Sequence, residues 1–188
     1  MITQEELYNF KKEGSWLTAH PIMAPERGIE FSTGSLGQGL GLGIGTAIAL
    51  KKKGNLTSRV YVVLGDGECD EGSVWEGVLS AAQHGLDNLT VIVDKNGLQF
   101  DDKTTEIISL EDMEAKWKSF GWAAKSVDGH DVGALTDALL EKHDKPYAVI
   151  ANTVKGKGVS FIENVAKWHL GRLSKEQYEQ AMAEQEEK

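Results

Sequence analysis

The sequence predicts an α/β domain with a mainly parallel sheet and helices on both faces. Two observations carry that expectation. Short apolar runs of strand length alternate with segments of helical periodicity, and the composition is that of an ordinary globular chain. With 188 residues, 40% of them hydrophobic and 26% charged, the chain fits one domain, residues 1–188, around one sizeable core.

The elements follow in order. An opening helix is predicted over Thr3 to Lys12, where Thr3 and Glu6 have the spacing of a capping box. A Gly- and Pro-containing loop runs from Gly14 to Thr33. A glycine-rich, largely apolar helix is then expected from Gly34 to Lys53, its terminal lysines suiting the negative end of the helix dipole. Gly37, Gly41 and Gly45 recur every fourth residue on that helix. Each mid-helix glycine costs roughly 0.5–1 kcal/mol relative to alanine, so close backbone packing along that face is expected to compensate.

Four apolar runs read as buried strands: Val60–Leu64, Leu89–Val93, Ala123–Val127 and Tyr147–Thr153. Helices are predicted between them over Val74–His84, Leu110–Ser119 and Val132–Lys142, and a last polar helix from about Ser174. Ser73 with Glu76 has capping-box spacing, Gly85 is the expected stop, and Asp131 the expected N-cap of the third of these helices.

Charge and cysteine content narrow the function. A net charge of −9 argues against a nucleic-acid partner. The most apolar stretch, Leu36 to Leu50, is shorter than a bilayer requires, so no membrane association is expected. A single cysteine, Cys69, excludes an internal disulfide framework and suits a reducing, cytoplasmic setting. No base stands beside it in sequence to make it a nucleophile.

The chemistry concentrates between Arg59 and Leu98, a strand–helix–strand unit. Its first strand leads into Gly65-Asp66-Gly67 and its second into Asp94-Lys95-Asn96-Gly97-Leu98. Right-handed parallel connection brings both strands out at one sheet edge, so Asp66 and Asn96, thirty positions apart, emerge side by side where open α/β sheets bind ligands. One carboxylate and one amide oxygen are hard ligands, too few for a closed cage. Mg²⁺ completes an octahedron with water and phosphate oxygens, and Gly65 and Gly67 admit a phosphate close to the backbone. Read separately, Gly-Asp-Gly and Asn-Gly are also simply tight turns.

The wording GDGECDEGSVWEGVLSAAQHGLDNLTVIVDKNGLQ resembles the thiamine diphosphate signature, in a form similar to that of transketolases. Upstream, HPIMAPERGIEFSTGSLGQGLG resembles the same family's HP motif and GSLGQG loop. Downstream, TVKGKGVSFIENVAKWHLG resembles its KGKG and WHG segments. The resemblance runs in order from about Leu7 to Leu173.

That resemblance implies the diphosphate-binding (PP) domain of a transketolase, with thiamine diphosphate and Mg²⁺ as cofactors, Ca²⁺ or Mn²⁺ substituting. Asp66, Asn96 and the backbone carbonyl of Leu98 would hold the metal. Gly67 would lie against the diphosphate and Lys155 would approach it; Gly34 and Leu36 would sit near the aminopyrimidine. His169 would stand at the reaction centre, binding cofactor as well as acting in catalysis, and His20 would face substrate. Leu170 departs from the family's pattern by separating His169 from Gly171. Glu71 and Glu76 would lie at a subunit contact, and the glycine-rich helix would pack at a dimer interface.

The resemblance also implies partners. The chain is expected to lack the family's N-terminal segment, with two further histidines, and the domain that supplies the activating glutamate. It would work as the N-terminal subunit or a fragment of a split transketolase, a homodimer core within a heterotetramer. Its partner chain would carry the pyrimidine-binding and C-terminal domains, and the assembly would move two-carbon ketol units between sugar phosphates. Components of 1-deoxyxylulose-5-phosphate synthase or 2-oxoacid dehydrogenase type share the GDG and Asn, and a non-catalytic regulatory remnant fits the missing groups too.

Overall fold

A computed structural model describes residues 2–186. The strands are β1 (Val60–Gly65), β2 (Leu89–Lys95), β3 (Ala123–Asp128) and β4 (Tyr147–Asn152). They form one sheet in the order β1-β2-β4-β3, every pairing parallel. The helices are α1 (Gln4–Tyr8), α2 (Gln38–Lys52), α3 (Gly72–Gln83), α4 (Thr104–Ile107), α5 (Met113–Ser119), α6 (Val132–Leu140) and α7 (Lys175–Glu186).

Alternation along the strands divides the apolar residues between two faces. Val62 and Leu64 of β1, Leu89, Val91 and Val93 of β2, and Ala148 and Ile150 of β4 pack with α2, α3 and α5 in the larger core. Tyr147 and Val149 of β4 point the other way and meet Ala138 of α6. Trp117 sits at the centre of the larger core, its ring 4.8 Å from that of Trp122 and 5.8 Å from that of Trp75. The Trp122 indole donates to the carbonyl of Val78, pinning the approach to β3 onto α3.

Several predicted boundaries move, each for a local reason. The opening helix is only α1: Thr3 and Glu6 do form the capping box, but the helix ends at Tyr8 with Asn9 as its C-cap. The glycine-rich helix begins at Gln38 rather than Gly34, because Gly37 takes a left-handed conformation (φ 79°) that cannot lie inside it. Ser73 is not a cap. A short turn over Gly67–Asp70 delivers Glu71 in an extended conformation to the N-cap position, so α3 has already begun when Ser73 is reached. Gly85 does follow the last turn of α3 with positive φ, and Asp131 caps α6 by accepting from the Ala134 N–H. The predicted Leu110–Ser119 helix is α5 alone, starting at Met113 behind an Asp112 cap.

The four-residue glycine stripe of α2 packs differently from expectation. Gly41 and Gly45 have open space where a Cβ would stand, while Gly43 makes the close approach, a Cβ there falling 2.4 Å from a Val62 methyl. Gly77 of α3 similarly admits Leu40 and Ile44. Within this chain, α2 is therefore tight against β1 and α3 through Gly43 and Gly77, with Gly41 and Gly45 facing outward.

Candidate functional site

The residues singled out by the sequence gather around the carboxyl ends of β1, β2 and β4. Parallel register aligns Gly65 with Asp94, and the next step of each strand exits at the same edge. Asp66 is only 3% exposed. Its Oδ2 accepts from the Gly97 N–H at 2.7 Å and its Oδ1 from the Gly67 N–H at 2.9 Å, so this carboxylate itself joins the two turns. Burial pushes its pKa above the ordinary carboxylate value, with Asp94 adding to the rise and the two amide bonds opposing it.

Asn96 is half-buried, its Oδ1 accepting from the Leu98 N–H at 3.0 Å. The chain then doubles back through a Leu98–Lys103 bridge, which presents Leu98 beside Asn96. A buried carboxylate, an amide oxygen and a neighbouring carbonyl form a hard-oxygen donor set. Among the described residues no group of three or more His, Cys, Asp or Glu closes around a metal. A cation here would need non-protein oxygens, as a diphosphate provides. The set fits Mg²⁺.

Gly67 is held differently from a bare phosphate rest. A Cβ at this position would fall 2.8 Å from Gln99 Cβ and Oε1, so its missing side chain makes room for Gln99. Gly34, with φ 122°, packs under His20, where a Cβ would lie 2.6 Å from the imidazole Cγ. The GSLGQG loop and the HP motif thus meet directly, and His20 stands exposed above them. Leu36 is 58% exposed and lines an open cleft of about 870 Å³ between α2 and β1.

Lys155 is half-buried in the turn after β4, its carbonyl accepting from the Asn164 N–H. Gly156 makes that turn possible, since a Cβ there would overlap Ile162 at 2.3 Å and its φ is +73°. His169 is exposed, its ring edge-on to Phe100 at 5.5 Å, which sets it over the loop that follows Asn96. Leu170 is extended and 75% exposed, and Gly171 packs on the Trp168 ring. Glu71 and Glu76 are both exposed at the start of α3, and Glu71 abuts Gly37.

Two contributors carry no signal in the sequence. His130 sits in a turn after β3, yet its Nε2 accepts from the Val154 N–H at 2.7 Å and so fixes the strand exit one residue before Lys155. Glu68 reaches from the GDG turn to the start of α2. Cys69 is wholly buried, and burial together with three neighbouring carboxylates pushes its thiol pKa up, which removes it as a nucleophile.

The family model for the transketolase thiamine diphosphate binding domain matches residues 1–185. The chain belongs to the transketolase family. It is 42% identical over 170 residues to an apulose-4-phosphate transketolase subunit from Actinobacillus succinogenes, covering 89% of this chain and 61% of that one. It is 38% identical to the 6-deoxy-6-sulfo-D-fructose transketolase subunit SqwG of a Clostridium species, covering 97% of this chain and 66% of that one. Human transketolase is 39% identical, with 97% of this chain matching 29% of its length. The crystal structure of Campylobacter jejuni transketolase superposes with a TM-score of 0.88 at 32% identity, covering 95% of this chain and 29% of that one. The chain thus spans 61% and 66% of the length of these two transketolase subunits. A parallel α/β sheet with helices on both faces is common to this chain and the transketolase fold it matches.

Proposed function

We propose that this transketolase domain, over residues 1–188, holds Mg²⁺ and the diphosphate end of thiamine diphosphate. It would act as the N-terminal part of a split transketolase that transfers two-carbon ketol units between sugar phosphates. The observation that carries the reading is buried Asp66, hydrogen-bonded to Gly97 across the ends of adjacent parallel strands and next to Asn96. A carboxylate buried in this way is most comfortable as an anion when a cation stands against it.

Each residue then has a task. Asp66, Asn96 and the Leu98 carbonyl would hold the metal, and the Lys155 ammonium would offset diphosphate charge. Gly34 and Leu36 would border the aminopyrimidine, and Gly67 would keep the metal turn open. Thiamine diphosphate, when bound, supplies the carbon nucleophile that carries the ketol unit. His20 and His169, exposed at the outer rim, would hydrogen-bond substrate and exchange protons with its hydroxyls. Relatives named as one subunit of a transketolase support a complementary chain carrying the pyrimidine-binding and C-terminal domains. A homodimer core through α2 and the Glu71–Glu76 surface follows the outward-facing Gly41 and Gly45. Residence in the cytoplasm suits a buried free thiol, and no described helix is long and apolar enough to cross a membrane.

The test titrates thiamine diphosphate into the chain with Mg²⁺, alone and mixed with a complementary chain, and assays transfer from a ketose to an aldose phosphate. Transfer is expected in the mixture and not from this chain alone. Asp66→Ala should weaken cofactor binding roughly a hundredfold, the factor that corresponds to about 3 kcal/mol for losing one partner of a buried charge pair. Unchanged affinity in that variant, or with chelator present, would overturn the metal site.

A further inference from the structure

We propose that Glu68 is a positioning residue that locks the GSLGQG turn to the GDG turn, setting the spacing of the two loops that flank the cofactor. The inference rests on the cofactor reading above. Helix α2 starts without a cap of its own: Gly37 occupies the N-cap position and has no side chain to give. Glu68 serves instead from 31 residues away. Its Oε1 accepts from the Gly37 N–H at 2.9 Å and its Oε2 from the Gly65 N–H at 3.2 Å.

Each carboxylate oxygen therefore takes one backbone donor from a different segment, one from the turn before α2 and one from the end of β1. Carboxylate acceptors make stronger bonds to N–H groups than neutral ones do, and this one also sits at the positive end of a 15-residue helix. Glu68 is half-buried beside the cleft between α2 and β1, where water competes less for those donors.

The surroundings make the bridge specific. A Cβ on Gly37 would fall 2.4 Å from Ser73 Oγ and 3.1 Å from Glu71 Cβ, so the turn is pressed against the start of α3 with no room to shift sideways. Gly65 is the last residue of β1, immediately before Asp66. Pulling on Gly37 through Glu68 therefore transmits to the residue that precedes the metal carboxylate. Glu68 is assigned no contact with metal, cofactor or substrate; it acts through Gly37 and Gly65. A glutamine keeps the length but offers one acceptor oxygen and turns an N–H₂ toward a backbone N–H. Aspartate lacks the reach. Neither reproduces the two-sided bridge.

The experiment compares the full chain with Glu68→Gln and Glu68→Ala. Amide hydrogen exchange at Gly37 and Gly65 is measured without ligand, and Mn²⁺–pyrophosphate and Mg²⁺–thiamine diphosphate affinities are measured by calorimetry. Exchange at both glycines should accelerate by about tenfold or more, the loss of a charge-assisted bond. Affinity for thiamine diphosphate should fall at least as far as that for pyrophosphate. The electron paramagnetic resonance line shape of bound Mn²⁺ should stay that of the wild type, because Asp66 and Asn96 are untouched. A role confined to stability would lower the melting temperature and leave the affinities of the folded protein unchanged; that result overturns the proposal. Unchanged exchange at Gly37 or Gly65 overturns it as well. A wild-type chain that binds neither ligand contradicts the cofactor reading instead, and the exchange result still decides whether Glu68 forms the lock.

Discussion

The sheet has two edge strands, and they are finished in opposite ways. At β3, helices lie on both sides: α5 covers one face and α6 the other. The outward backbone is also engaged, the Ser126 N–H donating to Glu114 Oε2 at 2.8 Å. The exposed Lys125 of this strand pairs with Glu141. At β1 only one face is covered. Val62 and Leu64 point into the core, while Tyr61 is 51% and Val63 67% exposed on the side away from α2 and α3. Charge, covering helices and polar contacts are the devices that keep an edge strand from templating further pairing. β3 has all of them, whereas β1 has a covering helix, α2, on one face only and a carboxylate contact at its last residue, the Gly65 N–H donating to Glu68. The buried Asp66 carboxylate follows β1, so the most constrained residue of the candidate site stands at the less finished end of the sheet.

The largest expected effect breaks the finished edge. Trp117 of α5 is fully buried between Trp75 and Trp122 and holds the helix that shields β3. Trp117→Ala should cost about 3–5 kcal/mol in urea unfolding, because the cavity is lined by rigid aromatic walls that relax only partly. Its indole nitrogen is buried without a hydrogen-bond partner. Trp117→Phe, which removes that nitrogen and keeps much of the ring packing, should cost distinctly less. Equal losses in the two variants would show that the part of the indole that phenylalanine lacks, not the ring packing the two share, governs the site.

A middling effect sharpens the contrast between the edges. Lysine at position 63 of β1 meets solvent, so Val63→Lys should change stability by no more than about 0.5 kcal/mol. Val127 of β3 packs on the α6 cluster, and Val127→Lys should cost at least about 1 kcal/mol from lost apolar burial. The pair is read by thermal or denaturant unfolding of the chain alone. Similar losses at both positions would mean that β1's outer face is covered in solution.

What is legible in the sequence divides along similar lines. The strands are readable because β-branched and apolar residues crowd into short runs, and the adjacency of Asp66 and Asn96 follows from the handedness of one parallel crossover. Both depend on residues near one another in sequence or on a topological rule. The cap of α3 is misread because a local pattern, Ser73 with Glu76, competes with the preceding turn that Glu68 closes through its carbonyl to the Glu71 N–H. Glu68 bonding to Gly37, and His130 bonding to Val154, join loops that only the folded sheet brings together. No spacing within either segment encodes those contacts. The outward turn of Gly41 and Gly45 is hidden for the same reason: helical periodicity defines a face without naming the element it packs against.

The smallest expected effect concerns pH and the guarded edge. The pKa of Glu114 lies below its ordinary value of 4.5, chiefly because its side chain bonds Lys118, and further because it accepts from Ser126. A carboxyl group whose folded pKa is depressed stabilises the fold at pH values above its unfolded pKa, and that contribution disappears as pH falls through the lower, folded value. Acidification from neutral to about pH 5 should therefore leave the β3 edge intact. Further acidification, from 4.5 downward, should protonate Glu114, weaken its acceptance from Ser126 and speed exchange of that amide before the buried amides of β2 and β4 respond. Glu114→Gln should speed Ser126 exchange already at neutral pH and flatten its dependence on acid. The outward amides of β1 do not bond Glu114, Gly65 donating to Glu68 instead, so their acid response should be unchanged in the variant. If Ser126 in the wild type keeps its protection well below pH 4.5 until the whole chain unfolds, the edge is guarded by the packing of α5 and not by the Glu114 charge.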